Sequence, residues 1–201
     1  MSVSNITLSA LLCVVTIILA PFSHAYAQPP EQAIETLNAH PPIPTEKAMP
    51  PVSAGEKRLH MHSLHTGETV DVVFWRNGNF VPEGLRQLKH FLRDHRSGDE
   101  IDMDPQLFAL AHRLYEDLGA KGAIHIISGH RSAKTNAKLK GMGRNVAKKS
   151  QHILGTAMDI RIPGVPLKLL RETALRYKAG GVGYYPKSDF IHIDTGRPRQ
   201  W

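Results

Sequence analysis

Two short stretches carry side chains that could share one metal ion. The first, Ser150-Gln-His152-Ile-Leu-Gly155-Thr-Ala-Met-Asp159-Ile-Arg161-Ile162, holds a histidine and an aspartate. The second, Phe190-Ile-His192-Ile-Asp194, holds another such pair. One continuous helix would set His152 and Asp159 about 10 Å apart along its axis, and a straight strand more than about 20 Å. Neither suits an ion whose bonds are roughly 2 Å long. Gly155 offers a bend between them, after which alternation turns Met158, Ile160 and Ile162 toward a core and Asp159 and Arg161 away from it. In the second stretch Ile191 and Ile193 point inward while His192 and Asp194 share the other face. Laid side by side, the two strands make Asp159 and His192 cross-strand partners with Cβ atoms about 5 Å apart, and His152 joins them from the bend. Two imidazoles and one carboxylate leave a fourth tetrahedral position for water, as in a catalytic zinc site, where bound water becomes a nucleophile near neutral pH. The same residue types also describe an iron facial triad. Those sites usually place the lone histidine after the pair, and only seven residues follow Asp194.

The surrounding pattern indicates how such strands are held. Val70, Val72 and Phe74 alternate, and Asn77-Gly78 follows as a tight-turn signal, so two short strands are expected between Leu59 and Trp75. Pro82 opens a helical pattern with Leu85, Leu88, Phe91 and Leu92 on one face. Asp104-Pro105 caps a second helix that buries Leu107, Leu110, Ala111, Leu114 and Leu118 and stops at Gly119. Short apolar strands follow at 123–127, 157–162, 182–185 and 190–194, with one more helix between Pro166 and Tyr177. Helices gathered toward the N-terminal side and strands toward the C-terminal side predict an α+β domain with a small, mostly antiparallel sheet and its helices packed on one side.

The 201 residues, 41% hydrophobic and 21% charged, suffice for one ordinary domain, expected at 59–201. Residues 1–27 contain no Asp, Glu, Lys or Arg and end in Ala25-Tyr26-Ala27, which reads as a Sec signal peptide cleaved after Ala27, or else as an uncleaved inner-membrane anchor. Cys13, the only cysteine, lies inside that leader, so a metal site must use His, Asp or Glu. Residues 28–58 hold seven of the 14 prolines (29, 30, 41, 42, 44, 50 and 51) and read as an extended tether. A formal charge of +7 favours an anionic partner, but with no recognition motif, aromatic platform or zinc finger, nucleic acid is not expected.

Four motifs in order, the Ser128-Gly-His-Arg-Ser132 turn, the string from Ser150 to Ile162, Gly180-Gly-Val-Gly-Tyr-Tyr-Pro186 and Phe190-Ile-His-Ile-Asp-Thr-Gly196, resemble the zinc murein peptidases related to D-Ala-D-Ala carboxypeptidases. The resemblance covers residues 59–201. It implies the zinc D,D-peptidase (hedgehog-like) fold, one Zn2+ per chain held by His152, Asp159 and His192, and peptidoglycan as partner in the periplasm. It also implies that Arg131 is aimed at the scissile carbonyl and that Ser150 helps to position substrate, though a serine there could equally cap a turn. Tyr184, beside the GGVG turn at the cleft wall, is a second substrate-binding candidate. The relatives place a glutamate three residues before the last histidine ligand, where this chain has Asp189. Asp194 competes with Asp189 as general base, or else orients a ligand histidine.

The expected function is therefore a zinc-dependent hydrolysis of peptide cross-links in peptidoglycan. The alternatives are a D,D-carboxypeptidase, or a metal-stabilised module that only binds the wall. Gly180-Gly-Val-Gly183 is no phosphate loop, since neither Lys-Ser nor Lys-Thr follows it. His60, His62 and His65 are expected at the surface. The basic run from Lys134 to Lys149 is a solvated face, or a flank that holds an anionic wall.

Overall fold

A computed structural model of the protein describes residues 55–143, 147 and 149–201. The leader at 1–27, Cys13, most of the tether, and Arg144 and Lys148 of the basic run lie outside the described residues. Alternating apolar residues open the domain. β1 (Glu56–Ser63) pairs antiparallel with β2 (Thr69–Arg76), and the two send Leu59, Met61, Val72 and Phe74 to the buried side. β1 begins at Glu56, ahead of the expected domain start at Leu59. Asn77 and Gly78 both have positive φ, 48° and 88°, and return the chain into β3 (Asn79–Phe80), the turn expected from that dipeptide.

Pro82 and Pro105 start α1 (Pro82–Phe91) and α2 (Pro105–Asp117), and the Asp104 side chain caps the second by accepting from Gln106 N–H. β4 (Ile124–Ser128), α3 (Ala133–Gly141), β5 (Ala157–Arg161), α4 (Leu167–Tyr177), β6 (Gly181–Tyr185), β7 (Phe190–Asp194) and β8 (Arg199–Gln200) follow. Leu88 and Phe91 of α1, Leu107, Phe108 and Leu114 of α2 and Leu170 and Ala174 of α4 form one core with Ile124, Ile126, Met158, Ile160, Ile191 and Ile193 of the sheet. Burying such side chains contributes roughly 1.5–3 kcal/mol each.

The architecture is mixed α+β, and its sheet runs β3-β2-β1-β4-β5-β7-β6-β8. With eight strands it is larger than expected. It is mostly antiparallel, but β1–β4 and β6–β8 are parallel pairs. Helices and strands interleave along the chain rather than segregating, because α1 and α2 form the crossover that returns the chain beside β1. The glycine run at 180–183 enters strand β6 rather than a turn. α3 lacks an apolar period and buries only Thr135 and Asn136, so the basic run hides it; Ser132 nucleates it by accepting from Thr135 N–H.

The bend between the two halves of the first motif is at Gly155, with φ +71°. A Cβ there would lie 2.8 Å from the Asp102 carbonyl oxygen, and the Gly155 carbonyl accepts from Asp104 N–H. Gly155→Ala is expected to cost about 1–3 kcal/mol, from left-handed backbone in a residue with a Cβ. Urea denaturation of the variant beside the parent chain measures it.

Candidate metal centre

β5 and β7 are neighbours, and their register sets Asp159 opposite His192. His152 enters from the turn before Gly155. His152 Nε2 lies 3.2 Å from His192 Nδ1 and 3.2 Å from Asp159 Oδ1, and His192 Nδ1 lies 3.0 Å from the same oxygen. All three residues are buried, and together they form a group able to hold a metal ion.

The far sides of the rings fix their tautomers. His152 Nδ1–H donates to the Gly129 carbonyl at 2.8 Å, and His192 Nε2–H donates to Asp194 Oδ2 at 2.8 Å. That leaves the lone pairs of Nε2 and Nδ1 turned toward the Asp159 oxygen. Three acceptors without a donor among them repel one another unless a cation sits between, so the donor set fits a divalent ion. Charge favours the same outcome. Burial would push the Asp159 carboxyl up, but His152 and His192 outweigh it and hold it well below the usual carboxylate range. Burial would lower His192, yet the Asp159 and Asp194 carboxylates, each able to take a hydrogen bond from the protonated ring, raise it, so this centre attracts positive charge, whether a proton or a metal ion.

Arg131 stands beside the centre with its Nη2 3.9 Å from Asp159 Oδ2 and its side chain 11% exposed. Its backbone N–H donates to the His152 carbonyl at 3.1 Å. Long contacts to Asn136 Oδ1 (3.4 Å) and Ser128 Oγ (3.5 Å) steady the guanidinium, while its buried Nε has no partner among the described residues. A guanidinium held beside the centre is a fixed cation whose Nη groups can donate to an oxygen that gains negative charge there. Burial lowers the Arg131 pKa and Asp159 opposes that shift; an arginine stays charged all the same.

The remaining candidates fall in different places. Asp194 is fully buried, and its oxygens accept from His192, Arg199 Nη1 and Nη2 (3.0 and 2.6 Å), Gly181 N–H and Gly196 N–H. Those partners outweigh burial and hold it strongly acidic. It orients His192 and has no oxygen free to take a proton from water, which corrects its reading as general base. Asp189 lies at a left-handed position (φ +51°) with its carboxylate on Arg161 Nη1 at 3.1 Å and 63% exposed, rather than on the centre. Ser150 Oγ accepts from His152 N–H at 3.3 Å, capping the turn that presents the ligand. Tyr184 belongs to the other face of the sheet: it pairs with Ile191, packs on the core and lies under Arg171. The alternation that sends half-buried Tyr184 to the core side turns Tyr185 to the metal side, so Tyr185 faces the centre where Tyr184 was expected.

Residues 52–201 match the family described as peptidoglycan L,D-endopeptidase MepK. The chain belongs to that family. It is 46% identical over 143 residues to the peptidoglycan L,D-endopeptidase MepK of Escherichia coli (strain K12), covering 71% of this chain and 79% of the relative. To the probable peptidoglycan L,D-endopeptidase MepK of Haemophilus influenzae (strain ATCC 51907 / DSM 11121 / KW20 / Rd) it is 43% identical over 144 residues, covering 71% and 77%. No solved structure matches it.

Two further side chains line or brace the centre of this MepK-family chain: Trp201, which with Arg197 and Arg199 reads in sequence either as groove lining or as a surface tail, and Asp94, which no motif signals. Trp201 lays its ring 5.2 Å from that of His192 and donates from Nε1 to the Tyr185 hydroxyl at 2.8 Å. Gly183 makes room for it, since a Cβ there would meet the indole at 2.7 Å. Asp94 accepts from Ser132 N–H at 2.9 Å and Arg96 N–H at 3.0 Å, pinning the turn that carries Arg131. A carboxylate 38 positions before the serine it holds gives no local signal in sequence.

Proposed function

We propose that the chain is an exported zinc endopeptidase that hydrolyses peptide cross-links in peptidoglycan. The observation that carries this reading is the convergence of His152 Nε2, His192 Nδ1 and Asp159 Oδ1, each ring locked from behind, beside the Arg131 guanidinium. His152, Asp159 and His192 would hold one Zn2+, which supplies an acidified water and polarises the scissile carbonyl. Gly129 and Asp194 keep the two imidazoles in the coordinating tautomer. Arg131 binds the carbonyl oxygen and stabilises it as it gains negative charge. Ser150, whose hydroxyl keeps its own proton, and Tyr185, whose oxygen already accepts from Trp201, donate to the substrate backbone. Residues 1–27 would export the chain to the periplasm, the proline-rich segment to residue 58 would give it reach, and residues 59–201 would form the peptidase domain, with the zinc D,D-peptidase fold.

Defined cross-linked muropeptides digested with zinc-loaded and with metal-free protein, and the products weighed by mass spectrometry, test the reading. Cleavage of the cross-link by the loaded protein alone is expected. Binding to sacculi without released fragments contradicts it and supports a wall-binding module.

Two further outcomes follow from the surroundings of the ligands. Asp194→Asn is expected to weaken zinc binding about 10–100-fold, whereas Asp189→Asn, whose carboxylate rests on Arg161, changes kcat less than about tenfold, below the usual effect of a general base. Competition with a zinc-binding dye measures the first and steady-state cleavage the second. A proton competes with the metal for His192, whose pKa is raised, so zinc affinity falls as pH drops through a range that begins above the ordinary histidine value. A pH series of zinc titrations checks it.

A further inference from the structure

Next to the metal centre, on the same face of the sheet, lies a pocket of about 200 Å³ walled by His125, Arg161, Pro163, Leu167 and Asp189. Arg161 follows Asp159 by two positions on β5, so its side chain leaves the same face roughly 7 Å further along the strand. β4 sets His125 directly opposite Arg161. None of these groups touches the proposed metal ligands through a side chain, and the hydrolysis described above does not use them.

Their hydrogen bonds leave donors over. Arg161 spends Nε on His125 Nδ1 at 3.4 Å and Nη1 on Asp189 at 3.1 Å, while its Nη2 has no partner among the described residues. With Nδ1 accepting, the His125 proton sits on Nε2, a neutral donor; burial, with Arg161 and His62 adding to it, lowers its pKa. The one acid present, Asp189, is 63% exposed and its partner 36%, so the ion pair is of the exposed kind that holds weakly and yields to a competing anion.

We propose that this pocket receives a free carboxylate of the peptidoglycan peptide, one or two residues from the bond that is cut, with Arg161 Nη2 and His125 Nε2 donating to it. The site selects substrates whose acid groups are unblocked, because a carboxamide offers one weaker acceptor and brings its own N–H donors against a guanidinium. Asp189 tempers the pocket by occupying part of Arg161. This inference rests on the endopeptidase reading.

The test compares a cross-linked muropeptide bearing free carboxyl groups with its amidated counterpart, both with the full zinc-loaded chain. The parent protein is expected to show a KM at least tenfold lower for the free acid. Arg161→Gln is expected to raise KM at least tenfold for the free acid and less than threefold for the amide, with kcat changing little. Arg161→Lys recovers part of the difference. Should Arg161→Gln fold poorly, Asp189→Asn gives a reading of opposite sign, a KM for the free acid lowered severalfold and more than that for the amide. Equal KM values for the two substrates in the parent protein, or an equal rise for both in Arg161→Gln, overturn the carboxylate site while leaving the peptidase intact. Cleavage of neither substrate by the parent chain overturns the peptidase reading, and the site with it.

Discussion

A His152→Ala chain is expected to cleave muropeptides at no more than about one thousandth of the parent rate while still folding. The vacated Nε2 is one of three ligand atoms that converge among the described residues, and two remaining ligands bind zinc too weakly to keep it under dilute conditions. Loss of the ring also unseats the Gly129 carbonyl it bonds from behind. Yet it relieves part of the mutual repulsion of three acceptors, so the metal-free variant should be less stable to urea than the metal-free parent by no more than about 1–3 kcal/mol. Activity and zinc content should fall together. A variant that cleaves at full rate in chelator-treated buffer sinks the metallopeptidase reading.

Arg131→Met should behave differently. Here zinc stays bound, because Arg131 touches Asp159 only at 3.9 Å, but kcat falls about 10²–10³-fold, the usual cost of removing one oxyanion donor. KM should move far less, since the interaction strengthens as the carbonyl oxygen gains charge. The methionine fills the same volume without leaving a buried charge unpaired. An Arg131→Lys protein should recover only part of the rate, because an ammonium cannot reproduce the fork that Asn136 and Ser128 hold in place. Equal loss of zinc and of rate would instead make Arg131 a support for the ligands.

The faces of the two candidate strands are legible in sequence because apolar and polar residue types alternate along each of them. Ile191 and Ile193 toward the core put His192 on the other face, and Met158 and Ile160 do the same for Asp159, while the adjacency of the two strands and their register come from the fold. The same rule applied one residue further would have chosen Tyr185 over Tyr184, since Tyr184 stands opposite the buried Ile191. What alternation cannot supply is the content of the space behind the ligands. Asp194 reads identically as base or as orienting group until Arg199, Gly181 and Gly196 are seen to occupy its oxygens. Asp94 reaches Ser132 across 38 positions. The fold was read coarsely for a related reason. Local patterns gave α1, α2, α4 and the hairpins, but the parallel pairing of β1 with β4 depends on a crossover of two helices, and α3, polar on nearly every face, carries no period to detect.

X-ray absorption of the zinc-loaded full chain reads the centre itself. Expected is one zinc per chain with two imidazole nitrogens and one carboxylate oxygen at about 2.0–2.2 Å plus one light-atom position exchangeable with solvent, and loss of this signature in Asp159→Ala. A fourth protein ligand closing that position, or an unchanged spectrum in Asp159→Ala, would contradict the proposed centre.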